Sequence, residues 1–383
     1  KKLRLPAHHG ILFAPTGSGK SVFFNNLIKS LLLSYPDEYY TIFDIGDSFL
    51  KTCAAFNGSY FSVGIDSRYA IPLFSEKGKI IQANELDPRR SPHQIGLLNM
   101  IIKEGINREA LLSASIFDFY KKYKTNETPI LEEYQEFLSV YKKGFDEEDR
   151  EFFVQAIKDI DLYSNPKLPY SKLCNQRKTL KLDNPVRVFE LMGLENHKSL
   201  EMLYKFMIFN DTAIRKQDVN RAQFVFYDEI KNLLENEVTA KMISNQFRGD
   251  RKFGNCIWGA TQSAKHYLNA HTSDIMENAY IKVALFTPFN IEAKDGVAEA
   301  FRTLGFTERE MKAIANLEPQ RQALIKYGSR HSSILNIDPS PFELKLFSTD
   351  EHSKKKLDEL QKAGKNIVNE LMIETEREKN NAA

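Results

Sequence analysis

Lys20 and Ser21 close the run Gly10-Ile-Leu-Phe-Ala-Pro-Thr-Gly-Ser-Gly-Lys-Ser21, and their types and spacing suit one chemistry, the grasp of a polyphosphate. A phosphate chain must be met by bare backbone N–H groups. Gly17 and Gly19 therefore stand where a side chain would obstruct, and Lys20 brings a cation to the β- and γ-phosphates. The Ser21 hydroxyl would hold magnesium. Thr16, Gly17, Ser18, Gly19, Lys20, Ser21 and Val22 are the expected nucleotide-binding residues of such a P-loop, with ATP and Mg2+ as cofactors. The pattern GxxxxGK[ST] opens with glycine, whereas Ala14 stands in that place here; alanine is small enough to make the departure minor.

A second chemical stretch is Gln223-Phe-Val-Phe-Tyr-Asp-Glu229, an apolar run ending in adjacent carboxylates. A strand that ends in Asp-Glu is common by itself. Combined with Lys20 it reads as a Walker B strand, in which Asp228 orients magnesium through water and Glu229 takes a proton from, or positions, the water attacking the γ-phosphate. Gln262, at the end of the strand Cys256-Ile-Trp-Gly-Ala260, is placed to sense the γ-phosphate or hold that water. Arg248, Arg251 and Lys252 admit two readings. They are exposed helix charges, or they offer an arginine finger in trans to a neighbouring subunit's nucleotide, with Arg251 first, Arg248 second and Arg321 a competitor. Asp44 and Asp47 could touch magnesium, water or a neighbouring subunit, or could form a solvated turn.

These residues need a strand before the loop and a helix after it. Phe23, Leu27, Ile28, Leu31 and Leu32 recur at helical spacing behind Ser21, with Pro36 as a stop. Tyr40–Ile45, Ser59–Val63 and Val186–Leu191 read as further strands, Phe49–Phe56 as a short helix, and Ser199–Arg215 and Leu233–Phe247 as helices. From Glu85 to Tyr163 the periodicity is helix after helix, with Ile95, Leu98 and Ile101 in one, then Leu111–Tyr120, Leu131–Tyr141 and a last one carrying Phe152, Phe153, Ile157 and Ile160. The sequence thus predicts an α/β fold with a mainly parallel sheet and an inserted all-helical subdomain. Its expected parts are 1–84 and 184–348 for the core, 85–183 for the insertion and 349–383 for a helical tail. Thr307-x-x-Glu310 is a capping box that starts a helix running to about Asn316.

Composition excludes some classes. The 383 residues leave room for two cores, and a net charge of +2 gives no global attraction to nucleic acid. Cys53, Cys174 and Cys256 are far apart and match no metal spacing, which fits buried small hydrophobes in a reducing cytoplasm. No apolar run approaches the ~20 residues of a membrane span. The adjacent His8 and His9 would point to opposite sides of a strand and are assigned no chemistry. Because the first strand begins almost at Lys1, the chain reads as a piece of a longer protein whose N-terminal partner domain lies elsewhere.

The combination of Ala14-Pro-Thr-Gly-Ser-Gly-Lys-Ser21, Phe43-Asp-Ile-Gly46, Phe226-Tyr-Asp-Glu229, Arg251-Lys252 and Ala260-Thr-Gln-Ser263 resembles the conjugative-transfer ATPases of type IV secretion systems, the TraC class and the fourth VirB component. The tail is similar too, in Phe306-Thr-Glu-Arg-Glu310, Arg321–Tyr327 and a strand-like Phe342–Phe347 closing with Ser348. The resemblance implies the RecA-like motor domain of a hexameric ATPase, cytoplasmic and peripheral at the inner membrane, energising pilus assembly or substrate transfer. By that resemblance Lys20, Ser21, Asp228, Glu229 and Gln262 carry the reaction, other secretion-system components are partners, and DNA is a further candidate. A DNA-pumping ATPase of the FtsK, HerA or coupling-protein type is the nearest alternative, and a nucleotide-gated scaffold is another.

Overall fold

The computed structural model describes residues 9–64, 70–71, 73–74, 80–82, 85–86, 91–125, 127–177, 183–192, 221–235, 237–268, 272–294, 296–329 and 331–382. The chain divides into two compact units, one comprising Lys1–Phe61, Leu182–Leu191 and Arg215–Ala383, the other Ser62–Lys181 and Met192–Ile214. The strands in chain order are β1 (His9–Phe13), β2 (Tyr39–Asp44), β3 (Ser59–Ser62), β4 (Ile81–Gln82), β5 (Glu85–Leu86), β6 (Val186–Glu190), β7 (Gln223–Tyr227), β8 (Cys256–Thr261), β9 (Ala279–Leu285), β10 (Gln322–Tyr327) and β11 (His331–Asn336). Among the described residues nine of them form one sheet in the order β11-β10-β9-β1-β8-β7-β2-β6-β3, while β4 and β5 pair with each other. From β9 across to β6 neighbouring strands run parallel, whereas β10 pairs antiparallel with both β9 and β11, and β4 with β5.

A parallel sheet carries helices on both faces, so its strands are continuous apolar runs rather than alternating ones. Accordingly β1, β6, β7 and β8 are buried at every residue. The helix Lys20–Ser34 lies on one face, where Phe24 and Ile28 join Leu12, Ile42, Val188 and Phe226 in one core. On the other, Phe13 meets the rings of Tyr267 and Phe301, each 5.7 Å away. Consecutive parallel strands bring their carboxyl ends to one edge, and that edge receives Lys20, Asp228 and Gln262.

Several elements differ from their sequence-based expectation. Phe342–Phe347 is no strand but the helix Pro341–Phe347, because Ser340 caps it, Glu343 returns the cap to the Ser340 N–H, and Pro341 occupies the first turn. These local signals outweigh the alternating Phe-Glu-Leu-Lys-Leu-Phe pattern. The helix expected over Leu233–Phe247 is two, Lys231–Leu234 and Glu237–Gly249. β4, β5, β9, β10 and β11 have no strand expectation in the sequence, β9 because Lys282 interrupts its apolar run; that ammonium donates to the Leu304 carbonyl at 2.8 Å. The helix expected over Ser199–Arg215 lies outside the described residues.

The second unit holds the helices Ser91–Ile101, Glu109–Lys122, Leu131–Tyr141, Glu147–Ser164 and Ser171–Cys174. Aromatic residues knit them, with Phe119 against Tyr134 at 5.2 Å and Tyr141 against Phe153 at 5.5 Å. Residues 70–71 and 73–74 join these helices instead of the core part expected to run to 84. The Ile71 N–H donates to the Leu173 carbonyl at 2.8 Å and the Phe74 ring packs on Tyr134 at 5.4 Å. In the first unit the tail forms the helices Glu351–Lys362 and Ile367–Ala382, and Leu371 is buried with Leu346 and Phe347. Cys53, Cys174 and Cys256 are buried thiols outside any disulfide. Among the described residues no helix is long and apolar enough to cross a membrane.

Candidate nucleotide site

The turn from β1 into the helix Lys20–Ser34 requires left-handed backbone at two points, Gly17 with φ 78° and Gly19 with φ 98°. A side chain at either would be strained, so the glycines of the motif serve this local geometry as well as the approach of a ligand. The Ser18 N–H and hydroxyl both donate to the Pro15 carbonyl, at 3.0 and 2.6 Å, which closes the loop on itself. Lys20 is then the first helical residue, where helix N–H groups lack intrahelical partners and favour an anion.

Asp228 and Glu229 follow β7 directly. The Asp228 N–H donates to the Phe43 carbonyl of β2 at 2.9 Å, which fixes the carboxylate at the sheet edge with 4% of the residue exposed. Lys20 Nζ lies 2.8 Å from Asp228 Oδ1 and also donates to Glu229 Oε1. Gln262, one residue beyond β8, donates from Nε2 to the same Glu229 oxygen at 3.1 Å, and its Oε1 accepts from the Thr16 hydroxyl at 3.2 Å. Glu229 has φ 49°, a conformation costing about 1–3 kcal/mol in a residue with a side chain and concentrated at functional sites.

Electrostatics follow from this contact. Burial by itself would lower the Lys20 ammonium, but the Asp228 and Glu229 carboxylates outweigh it and hold the lysine above its ordinary value. Burial pushes Asp228 up, and Lys20 opposes that shift. The lysine thus stays charged. A polyphosphate would offer it an alternative anion, and both carboxylates would then be released toward metal and water. For magnesium the donors present are a hydroxyl, Ser21, and a buried carboxylate, Asp228. Both are hard oxygen donors of the kind Mg2+ takes alongside substrate phosphates, so the residues fit the ion.

The loop opens on a cavity of about 850 Å³, within the usual range for ligand sites, bordered by Gly17, Lys20, Ser21, Val22, Glu229 and Gln262 on one side. Its other side is formed by Pro319–Arg321, Ile337–Pro339 and Phe347–Asp350, none of which the sequence marked as nucleotide-facing except Arg321 as a finger candidate. Gln320 donates to the Gly17 carbonyl at 2.9 Å, a contact with no motif to announce it.

Asp44 and Asp47 are tied into the turn after β2. Asp44 is fully buried, its Oδ2 accepting from the Phe49 N–H at 2.9 Å, and Asp47 accepts from the Tyr60 hydroxyl at 2.5 Å. Glu190, overlooked in the sequence, accepts from the Gly46 and Asp47 N–H groups and so shapes the turn after β2. Arg248 ends the helix Glu237–Gly249 and donates to Asn245. Arg251 lies in the short helical turn Asp250–Phe253, and its side chain is outside the described residues. This turn leads into the start of β8, whereas Gln262 follows the end of that strand. Arg248 and the Asp250–Phe253 turn therefore sit at the sheet edge opposite Lys20 in the same chain.

A parallel sheet with a glycine-rich loop at its carboxyl edge, a lysine at the helix start and a carboxylate pair beside it defines a P-loop nucleoside triphosphatase. The family model of the TraG P-loop domain matches residues 6–378, and the chain belongs to that family. The resemblance read from the motifs to the ATPases of conjugation and type IV secretion is thereby borne out, and the chain is an ATPase of this class. Among solved structures, VirB4 of Thermoanaerobacter pseudethanolicus is similar at 15% identity, with a TM-score of 0.66 over 88% of this chain and 90% of that one. The plasmid coupling protein TrwB in complex with ADP and Mg2+ is similar at 15% identity and a TM-score of 0.56, covering 90% of this chain and 87% of that one. These likenesses show a shared, RecA-like fold. No curated protein sequence matches the chain.

Proposed function

We propose that the chain is the motor domain of a type IV secretion or conjugation ATPase, hydrolysing ATP with magnesium and turning the free energy into movement between subunits of a ring, a hexamer. One observation carries the reading: Lys20 Nζ is held by Asp228 and Glu229 from the far side of the sequence, with Gln262 on the same Glu229 oxygen. In the reaction, Lys20 leaves the carboxylates for the β- and γ-phosphates, and the N–H groups of the loop and the helix start bind the remaining phosphate oxygens. Ser21 and Asp228 would hold magnesium, which when bound would supply charge neutralisation for the phosphates. Glu229, freed from the lysine, accepts the proton of the attacking water, and Gln262, already bonded to Glu229, orients that water.

Arg251 of a neighbouring subunit supplies the positive charge on the transferring phosphoryl group. The whole assembly is cytoplasmic and peripheral at the inner membrane, where the other secretion components are its partners. VirB4, by its name, and TrwB, described as a coupling protein, support this setting by fold. The test is steady-state phosphate release with MgATP by the wild type and Lys20→Ala, each with and without DNA. Turnover lost in Lys20→Ala and indifferent to DNA supports the secretion motor. Strong DNA stimulation would favour a DNA pump instead, and wild-type turnover as slow as the variant's would favour a nucleotide-gated scaffold.

A further inference from the structure

The turn between the helix Glu308–Ala315 and β10 leans on the phosphate loop. Because β10 runs antiparallel to β9, its first residue lies at the sheet edge where the parallel β1 ends. Gln320 Nε2 donates to the Gly17 carbonyl at 2.9 Å, and a Cβ added at Gly19 would come within 3.2 Å of the Gln320 Cα. The contacts fall on the two glycines at positive φ, the least restrained residues of the loop. Gln320 itself sits at φ 63°, a region that residues with side chains rarely occupy. The turn holds it there: the Arg321 and Gln322 N–H groups donate to the Glu318 carbonyl at 3.2 and 3.0 Å, and Gln322 Oε1 accepts from the Glu318 N–H at 3.0 Å.

The peptide between Gly17 and Ser18 is therefore fixed at both ends, its carbonyl by Gln320 and its N–H by Pro15. Flipping that peptide would turn a carbonyl oxygen toward an incoming anion. We propose that Gln320 is a positioning residue for phosphate binding, keeping the Gly17 carbonyl turned away so that the free N–H groups of the loop face the polyphosphate. The proposal rests on the nucleotide reading of the site and adds to it a residue that touches the loop and not the reacting atoms.

The test compares wild type, Gln320→Gly, Gln320→Asn and Lys20→Ala in the full chain, measuring KM and kcat for MgATP and the affinity for inorganic tripolyphosphate. Glycine keeps the turn and relieves its positive φ, so a purely structural role predicts unchanged kinetics and equal or greater thermal stability. Positioning predicts that Gln320→Gly raises the KM for ATP and weakens tripolyphosphate by a similar factor, about 3- to 10-fold, as expected for one lost hydrogen bond, with kcat shifting less than the KM. Asparagine, which tolerates this φ and keeps a shorter amide, recovers part of the loss. Unchanged KM in Gln320→Gly overturns the proposal. So does a loss confined to ATP with tripolyphosphate binding intact, which would make the turn a wall for the nucleoside. If the wild type binds neither ligand better than Lys20→Ala does, the nucleotide reading itself falls and the proposal with it.

Discussion

At the residue scale the site combines groups legible in the sequence with groups that only folding reveals. Lys20, Ser21, Asp228 and Glu229 were readable because phosphate and magnesium chemistry restricts which residue types can stand at those spacings. Gln320 was not, since an exposed glutamine in a turn has no pattern, and its contact arises from a strand that returns beside β9. Asp44 was read as a ligand candidate from its place at a strand end, and the structure gives it a different character. Burial first, and then the Glu190 and Asp228 carboxylates, hold its carboxyl well above the usual carboxylate range. The folded chain keeps a proton there that the unfolded chain has released, so this group makes stability fall as pH rises from about 4 toward the raised value. Asp44→Asn removes the titration while keeping an acceptor for the Phe49 N–H. Urea melts should show the variant more stable than wild type at pH 8, with the gain gone near pH 3.5. A variant no more stable than wild type at pH 8 would contradict the account.

At the scale of elements, the capping box Thr307-x-x-Glu310 was read from sequence and is present, but its glutamate has a second task. Glu310 also receives Lys326 Nζ of β10 at 2.7 and 2.9 Å, joining the helix to a strand that the lysine enters from a buried position. Burial alone would raise Glu310; the Lys326 ammonium and the Thr307 N–H outweigh it and hold the carboxyl below its ordinary value. Glu310→Ala would remove the cap and leave Lys326 buried without its partner, a loss of about 3 kcal/mol or more. Denaturant titration measures it, and a loss below about 1 kcal/mol would mean that the pair is idle. The same lesson explains Pro341–Phe347. Periodicity over a short run did not decide between strand and helix there, and Ser340, Pro341 and Glu343 did. The helices of the second unit were more legible, because their apolar spacing extends over several turns and is not interrupted.

At the scale of the whole molecule, the parallel order β9-β1-β8-β7-β2-β6 accounts for the function, since it alone brings the ends of β1, β7 and β8 to one edge. It also leaves Arg248 and the turn that carries Arg251 at the start of β8, the edge opposite the chain's own loop. An arginine finger from this turn must therefore act on another copy. In assembled oligomer, Arg251→Ala should lower turnover by about 10³-fold with assembly retained by sedimentation. Full turnover in the assembled variant would remove the trans finger from the account. The central claim is that a lysine at position 20 and carboxylates at 228 and 229 serve one bound triphosphate. The most direct measurement is a single-turnover quench of labelled ATP bound to Glu229→Gln, followed beside wild type. The variant should bind ATP as tightly as wild type yet cleave it at least about 100-fold more slowly. Cleavage at the wild-type rate would contradict the claim.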